Sequence, residues 1–154
     1  MKNKRYFPMF VDLENKPVVV VGGGKIATRR VKTLLKFTRQ IHVIAPELTP
    51  ELTELGELGQ IRVSRRACKR DDLTHAYMVL AATSDRKVDD DIYRICKEEG
   101  IYVNIASDRE KCDFHFPGVV IQEEMTIGIN ASGLDHQKAR KVREEIEKCL
   151  RDVQ

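Results

Sequence analysis

Apolar and polar positions along the chain fall into an alternating series. Pro17–Val21 is a short, unbroken β-branched run, the pattern of a strand buried on both faces of a parallel sheet. Gly22-Gly23-Gly24 follows at once. Ile26, Ala27, Val31, Leu34 and Leu35 then recur at helical spacing, and Ile41–Ala45 forms a second apolar run stopped by Pro46. Strand, glycine turn, helix and strand make one βαβ unit. A short helix over Glu51–Leu58, a half-exposed strand over Ile61–Ser64 and an apolar strand over Tyr77–Ala82 come next. Ser84 or Asp85 can cap a helix whose apolar face carries Val88, Ile92, Ile95 and Cys96. Gly100 ends it, and Ile101–Ile105 reads as a fifth strand. The prediction is an α/β fold, a Rossmann-like doubly wound parallel sheet.

The pattern changes after about residue 112. Gly118–Gln122 and Met125–Asn130, joined by Glu123-Glu124, read as an antiparallel hairpin, because Met125, Ile127 and Ile129 alternate with more polar positions. A last helix carries Ala139, Val142, Ile146, Cys149 and Leu150 on one side. Residues 1–112 are thus expected to form the dinucleotide-binding domain, and 113–154 a small α+β segment. A lone hairpin is marginal in water and needs a partner surface, such as the same hairpin of a second copy.

Composition narrows the class. The chain is 42% hydrophobic and 33% charged, enough for a real core, and its net charge of +3 does not point to nucleic acid. No apolar run approaches the roughly 18–20 residues that span a bilayer, and the basic opening has no apolar stretch behind it. A cytoplasmic protein without a secretory leader is expected. Cys68, Cys96, Cys112 and Cys149 are too scattered for a zinc pattern and read as reduced thiols. None of the four histidines sits four residues from another, so no metal site is expected.

The candidate chemistry begins at Gly22–Ala27, which fits G-x-G-x-x-A. Gly22 permits the tight turn, Gly24 lets backbone approach a pyrophosphate, and Ala27 lets the helix pack against the strand. Helix-terminal N–H groups then favour phosphate. The ribose contact expected at the end of the second strand falls on Pro46 and Glu47. No arginine stands between Ala45 and Thr49 to receive a 2′-phosphate, so NAD is favoured over NADP. Thr83, Ser84 and Asp85, at the end of the fourth strand, are further candidates for cofactor contact; Ser84 or Asp85 also suits a helix cap. The same strand–turn–helix opening would suit a non-catalytic NAD(H)-sensing module. Such modules usually carry an acid where this chain has Ala45-Pro46.

Several segments resemble one family, in order along nearly the whole chain. They are YFPMFVDL at Tyr6–Leu13, VVGGGKIA at Val20–Ala27, VIAPE at Val43–Glu47, LAATSD at Leu80–Asp85, Val103-Asn104, CDFHFP at Cys112–Pro117 and ARKVREEI at Ala139–Ile146. Together they look like the precorrin-2 dehydrogenase / sirohydrochlorin ferrochelatase family, the module that also opens multifunctional siroheme synthases. The resemblance implies NAD-dependent oxidation of precorrin-2 to sirohydrochlorin, with Fe²⁺ insertion by the same site in some relatives. It implies a homodimer built through the segment after residue 112. It carries Gly22, Gly23, Gly24, Lys25 and Ile26 over as cofactor contacts, with Pro46 and Glu47 at the adenosine end and Thr83 to Asp85, with Asn104, toward the nicotinamide.

The family's essential acid lies just after the Val-Asn pair. Some relatives have it at the place of Ser107, others one residue later. Here Asp108 is the carboxylate available, and the role is assigned to it. The competing expectation is that Asp108 caps a turn and Asp113, or no acid, does the work. Because precorrin-2 carries many carboxylates, Arg109 and Lys111 are candidate substrate donors. Lys138, Arg140, Lys141 and Arg143 could add to them or pair along the helix as Arg140–Glu144 and Lys141–Glu145. His115 is a third candidate substrate contact, against a packing role between two aromatics. Two departures are visible. Asp135-His136 stands where relatives commonly have Ser-Pro, and relatives extend past the place of Gln154 with a helical segment that bears on chelation.

Overall fold

In a computed structural model the chain forms two compact units; residues 5–131 and 135–151 are described. One unit is Val11–Phe114. The other takes the opening segment up to Phe10 together with the chain from His115 onward. That division differs from a cut at 112/113 in where the opening goes. Tyr6–Phe10 is irregular backbone with no periodicity, so nothing in its pattern states which unit it joins. Tyr6 lies 4.0 Å, ring centre to ring centre, from His115.

The larger unit is a five-stranded parallel sheet. Its strands are β1 (Val18–Val21), β2 (Ile41–Ile44), β3 (Arg62–Ser64), β4 (Met78–Ala81) and β5 (Tyr102–Ile105), in the order β3-β2-β1-β4-β5. β1 pairs with both β2 and β4, Val20 opposite Val43 on one side and Leu80 on the other. Strand order therefore reverses at β1, and the carboxyl ends of β1 and β4 are the place where doubly wound sheets bind ligands. All four valines of β1 are buried, as two covered faces require. Val19 and Val21 join Val79, Val103 and Ile105 in a core closed by Ile92 and Cys96.

The helices obey their local signals. α1 (Lys25–Leu34) buries Ala27, Val31 and Leu34. α2 (Pro50–Glu57) has proline in its first turn and Thr49 as N-cap, its hydroxyl accepting from Leu52 N–H at 3.3 Å. α3 (Arg86–Glu99) starts at Asp85, whose carboxylate accepts from Lys87 N–H at 2.9 Å, and stops at Gly100 in the left-handed region, φ 68°. Of the two possible caps, Asp85 does this work.

The smaller unit holds the hairpin β6 (Gly118–Gln122) and β7 (Met125–Ile129), paired antiparallel with Val120 opposite Ile127, and the helix α4 (His136–Arg151). Asp135 accepts from Lys138 N–H at 2.7 Å, so the acid at the Ser-Pro position caps α4; the side chain of His136 lies outside the described residues. On α4, Arg140–Glu144 pairs as expected. The second pair is Arg143–Glu147, and none is formed by Lys141 and Glu145 among the described contacts.

Candidate dinucleotide and acid site

The glycine turn joins β1 to α1, and each glycine has its own reason. Gly22 has φ 121°, and a Cβ there would stand 2.3 Å from the Ala82 carbonyl oxygen. A Cβ on Gly23 would stand 1.9 Å from the Glu47 carbonyl oxygen. These two glycines let the turn pass between the ends of β4 and β2. Gly24 differs: its φ of −87° suits any residue, and nothing lies within 4 Å of where its Cβ would be. Space is kept there that no protein atom uses. Gly24 is also the N-cap of α1 and offers no side-chain cap, leaving the first-turn N–H groups for an anion. Lys25 and Ile26, both exposed, open that helix. The residues present fit a pyrophosphate.

The turn is braced from β2. Thr49 N–H donates to the Gly23 carbonyl at 2.9 Å. Thr28 donates its hydroxyl proton to the Gly24 carbonyl at 2.9 Å and lies 2.8 Å from the Thr49 hydroxyl, from which it can accept. Pro46 and Glu47 are exposed just before this brace, at the place for an adenosine ribose. A shallow depression of about 400 Å³ runs along α1 between Lys25, Arg29, Lys32 and Thr49; it adjoins the turn through Lys25, Thr28 and Thr49, and the three glycines do not line it.

The ends of β4 and β5 form the other half. Asn104 is 3% exposed. Its side-chain oxygen accepts from Arg30 Nη1 and its amide donates to the Phe114 carbonyl, each at 2.7 Å. It thereby braces the end of β5 against α1. Burial pushes the Arg30 guanidinium down to about 10. From Ile105 the chain turns through a tight loop. Asp108 N–H donates to the Ile105 carbonyl and Lys111 N–H to the Asp108 carbonyl. The Cys112 thiol lies 3.3 Å from both carbonyls, and its proton is pushed up in pKa chiefly by burial.

Asp108 is half-buried in this loop. Oδ1 accepts from Glu110 N–H at 3.0 Å, and Oδ2 lies 3.8 Å from Lys111 Nζ. The carboxylate thus does cap a turn, while its second oxygen remains available on the sheet's carboxyl-end side. Asp113, the competing acid, is committed elsewhere: it accepts from Lys97 Nζ at 2.7 Å and from Val103 N–H at 3.1 Å. Lys111 pairs with Asp90, which raises its pKa, and Arg109 is exposed. His115 belongs to the other unit, where it meets Tyr6.

Two charged residues escaped the sequence reading. Arg30 and Asp89 are both buried, at 8% and 2% exposure. Each had a signal: Asp89 stands three residues before Ile92 and seven before Cys96, on the face α3 turns to the core, and Arg30 stands three after Ala27. Asp89 accepts from the Thr83 hydroxyl at 2.7 Å and the Ser107 hydroxyl at 2.9 Å. It ties the loop after β4, which holds Thr83, Ser84 and Asp85, to the loop after β5, which holds Asp108. Among the described residues no His/Cys/Asp/Glu cluster could hold a metal, and no helix is long and apolar enough to cross a membrane.

Residues 9–118 match a family model described as "Putative NAD(P)-binding". The chain is 41% identical over 143 residues to the "Probable multifunctional siroheme biosynthesis protein HemA" of Ruminiclostridium josui, covering 92% of this chain and 28% of that protein. It is 34% identical over 145 residues to a siroheme synthase of Actinobacillus succinogenes, covering 94% of this chain and 30% of that one. The chain thus spans about 30% of the length of these relatives. Among solved structures, SirC, a precorrin-2 dehydrogenase, superposes with a TM-score of 0.80 at 27% identity, covering 93% of this chain and 70% of that one.

Proposed function

Because the chain belongs to this NAD(P)-binding family, we propose that it is a precorrin-2 dehydrogenase, oxidising precorrin-2 to sirohydrochlorin with NAD as acceptor. The observation that carries the reading is the likeness to SirC over 93% of the chain, spanning both the glycine turn and the hairpin unit. When bound, NAD supplies the hydride acceptor. Gly22, Gly23 and Gly24, with Lys25 and Ile26, hold its pyrophosphate; Pro46 and Glu47 meet the adenosine ribose, and an acid there disfavours a 2′-phosphate. Thr83, Ser84 and Asp85 border the nicotinamide end. Asn104 serves by fixing the end of β5.

Asp108 takes the proton that leaves the substrate, at its second carboxylate oxygen. Arg109 and Lys111 stand beside it with charge for the substrate's carboxylates; His115, in the smaller unit, is assigned a substrate contact on the family resemblance alone. The setting is the cytoplasm. The test is oxidation of precorrin-2 that depends on NAD.

The working form in this reading is a homodimer. The smaller unit exposes Phe7 (90%), Phe10 (72%) and Met125 (52%), apolar side chains that a second copy would cover. Sedimentation at micromolar concentration should give twice the 17.7 kDa chain mass. A monomer at that concentration contradicts the dimer.

A further inference from the structure

A carboxylate out of water is costly unless donors replace its hydration. Asp89 meets that cost in a particular way. It is the fourth residue of α3, within reach of the positive helix end. Its donors are two neutral hydroxyls, Thr83 Oγ1 at 2.7 Å and Ser107 Oγ at 2.9 Å, and no ammonium or guanidinium pairs with it among the described residues.

The proton count of the two hydroxyls is informative, since each has one proton and two acceptor sites. The Thr83 hydroxyl lies 2.7 Å from Asp89 and 3.0 Å from the Asp85 carbonyl; its one proton goes to Asp89, the nearer and charged acceptor, and it accepts from Asp85 N–H at 3.2 Å. It is enclosed in its own loop. Ser107 also gives its proton to Asp89, yet its residue is exposed at the carboxyl end of β5. It has no proton left for anything outside. A ligand carboxylate or carbonyl placed against it would face lone pairs, whereas an N–H would find an acceptor strengthened by the charge behind it.

We infer that Ser107, with its proton committed to the buried Asp89, is a dedicated acceptor for an N–H group of the bound ligand. This deepens the dehydrogenase reading and rests on it for the identity of the ligand. Two sources share the chemistry: the carboxamide of the nicotinamide and a ring N–H of the tetrapyrrole. Asp89 acts through Ser107 and is a positioning residue. The arrangement also sorts the substrate's groups, turning carboxylates away from Ser107 toward Arg109 and Lys111.

The experiment uses the full chain and equilibrium binding, so that it does not depend on turnover. NAD affinity is read by calorimetry and precorrin-2 affinity by absorbance titration. Ser107→Ala leaves the buried Asp89 with one hydroxyl donor, so the melting temperature should fall somewhat while the far-ultraviolet circular dichroism stays native, and binding is read well below the melt. The substitution should weaken one of the two ligands by about tenfold, the range for a lost hydrogen bond. NAD weakened alone identifies the carboxamide; precorrin-2 weakened alone identifies the ring N–H. Ser107→Thr, which keeps the hydroxyl, should recover most of the loss. Asp89→Asn removes the charge and should weaken the same ligand less, with no further effect in the Ser107→Ala background. Unchanged affinity for both ligands in Ser107→Ala overturns the inference, as do additive effects of the two substitutions. If wild type binds both ligands yet does not oxidise precorrin-2, the dehydrogenase reading fails while the acceptor role still stands or falls by these titrations.

Discussion

Gly24→Asp should weaken NAD binding by at least about 100-fold while the melting temperature and far-ultraviolet circular dichroism stay native. The backbone at Gly24 has φ −87° and tolerates a side chain, and no protein atom lies within 4 Å of the new Cβ. The position is moreover an N-cap, where aspartate is among the best residues for the free helix. Stability and binding therefore part company: the substitution suits the protein and repels the pyrophosphate, and like-charge juxtaposition costs several kcal/mol, or about 100-fold and more in affinity. Gly22→Ala is the contrasting control. Its φ of 121° and the Ala82 carbonyl 2.3 Å away should make it fail through folding instead. Calorimetry with NAD and a thermal melt on both variants separate the two effects. Wild-type affinity in Gly24→Asp would remove the turn from the cofactor site.

Asp108→Asn should lower kcat with precorrin-2 by about 10²–10⁴-fold, the usual cost of losing a proton-transfer group. Asparagine keeps an oxygen for Glu110 N–H, so the loop should hold. NAD affinity should not change, because the pyrophosphate contacts lie at the glycine turn. Asp113→Asn supplies the comparison: it disturbs the contacts with Lys97 and Val103, so it should lower the melting temperature and spare kcat. Turnover at the wild-type rate in Asp108→Asn would withdraw the assignment.

Much of this was legible from residue order. β1, β4 and the glycine turn could be read because a doubly covered strand needs an unbroken apolar run, and Val18–Val21 and Met78–Ala81 provide one. The hairpin could be read from the alternation of Met125, Ile127 and Ile129 along β7, although burial does not follow that alternation, since Met125 is exposed and Thr126 half-buried. What escaped was set by partners distant in sequence. Asn104 is placed toward the nicotinamide by the family resemblance; its side-chain bonds to Arg30, 74 residues away, and to the Phe114 carbonyl have no local signal. Ser107 and Asp89 are 18 residues apart and meet only because α3 lies against β5. The reason for Gly23 was hidden likewise, since the atom it avoids belongs to Glu47. Periodicity reports which face of an element is buried, not which atom waits on the other side.

The central claim is the oxidation itself. Precorrin-2 incubated anaerobically with the wild-type chain should develop the sirohydrochlorin absorption spectrum only when NAD is supplied, with NADH appearing in step. Under the same conditions Gly24→Asp should leave the spectrum of precorrin-2 unchanged. A wild-type chain that binds NAD yet leaves precorrin-2 unoxidised, or that gives sirohydrochlorin equally fast without NAD, would contradict the account.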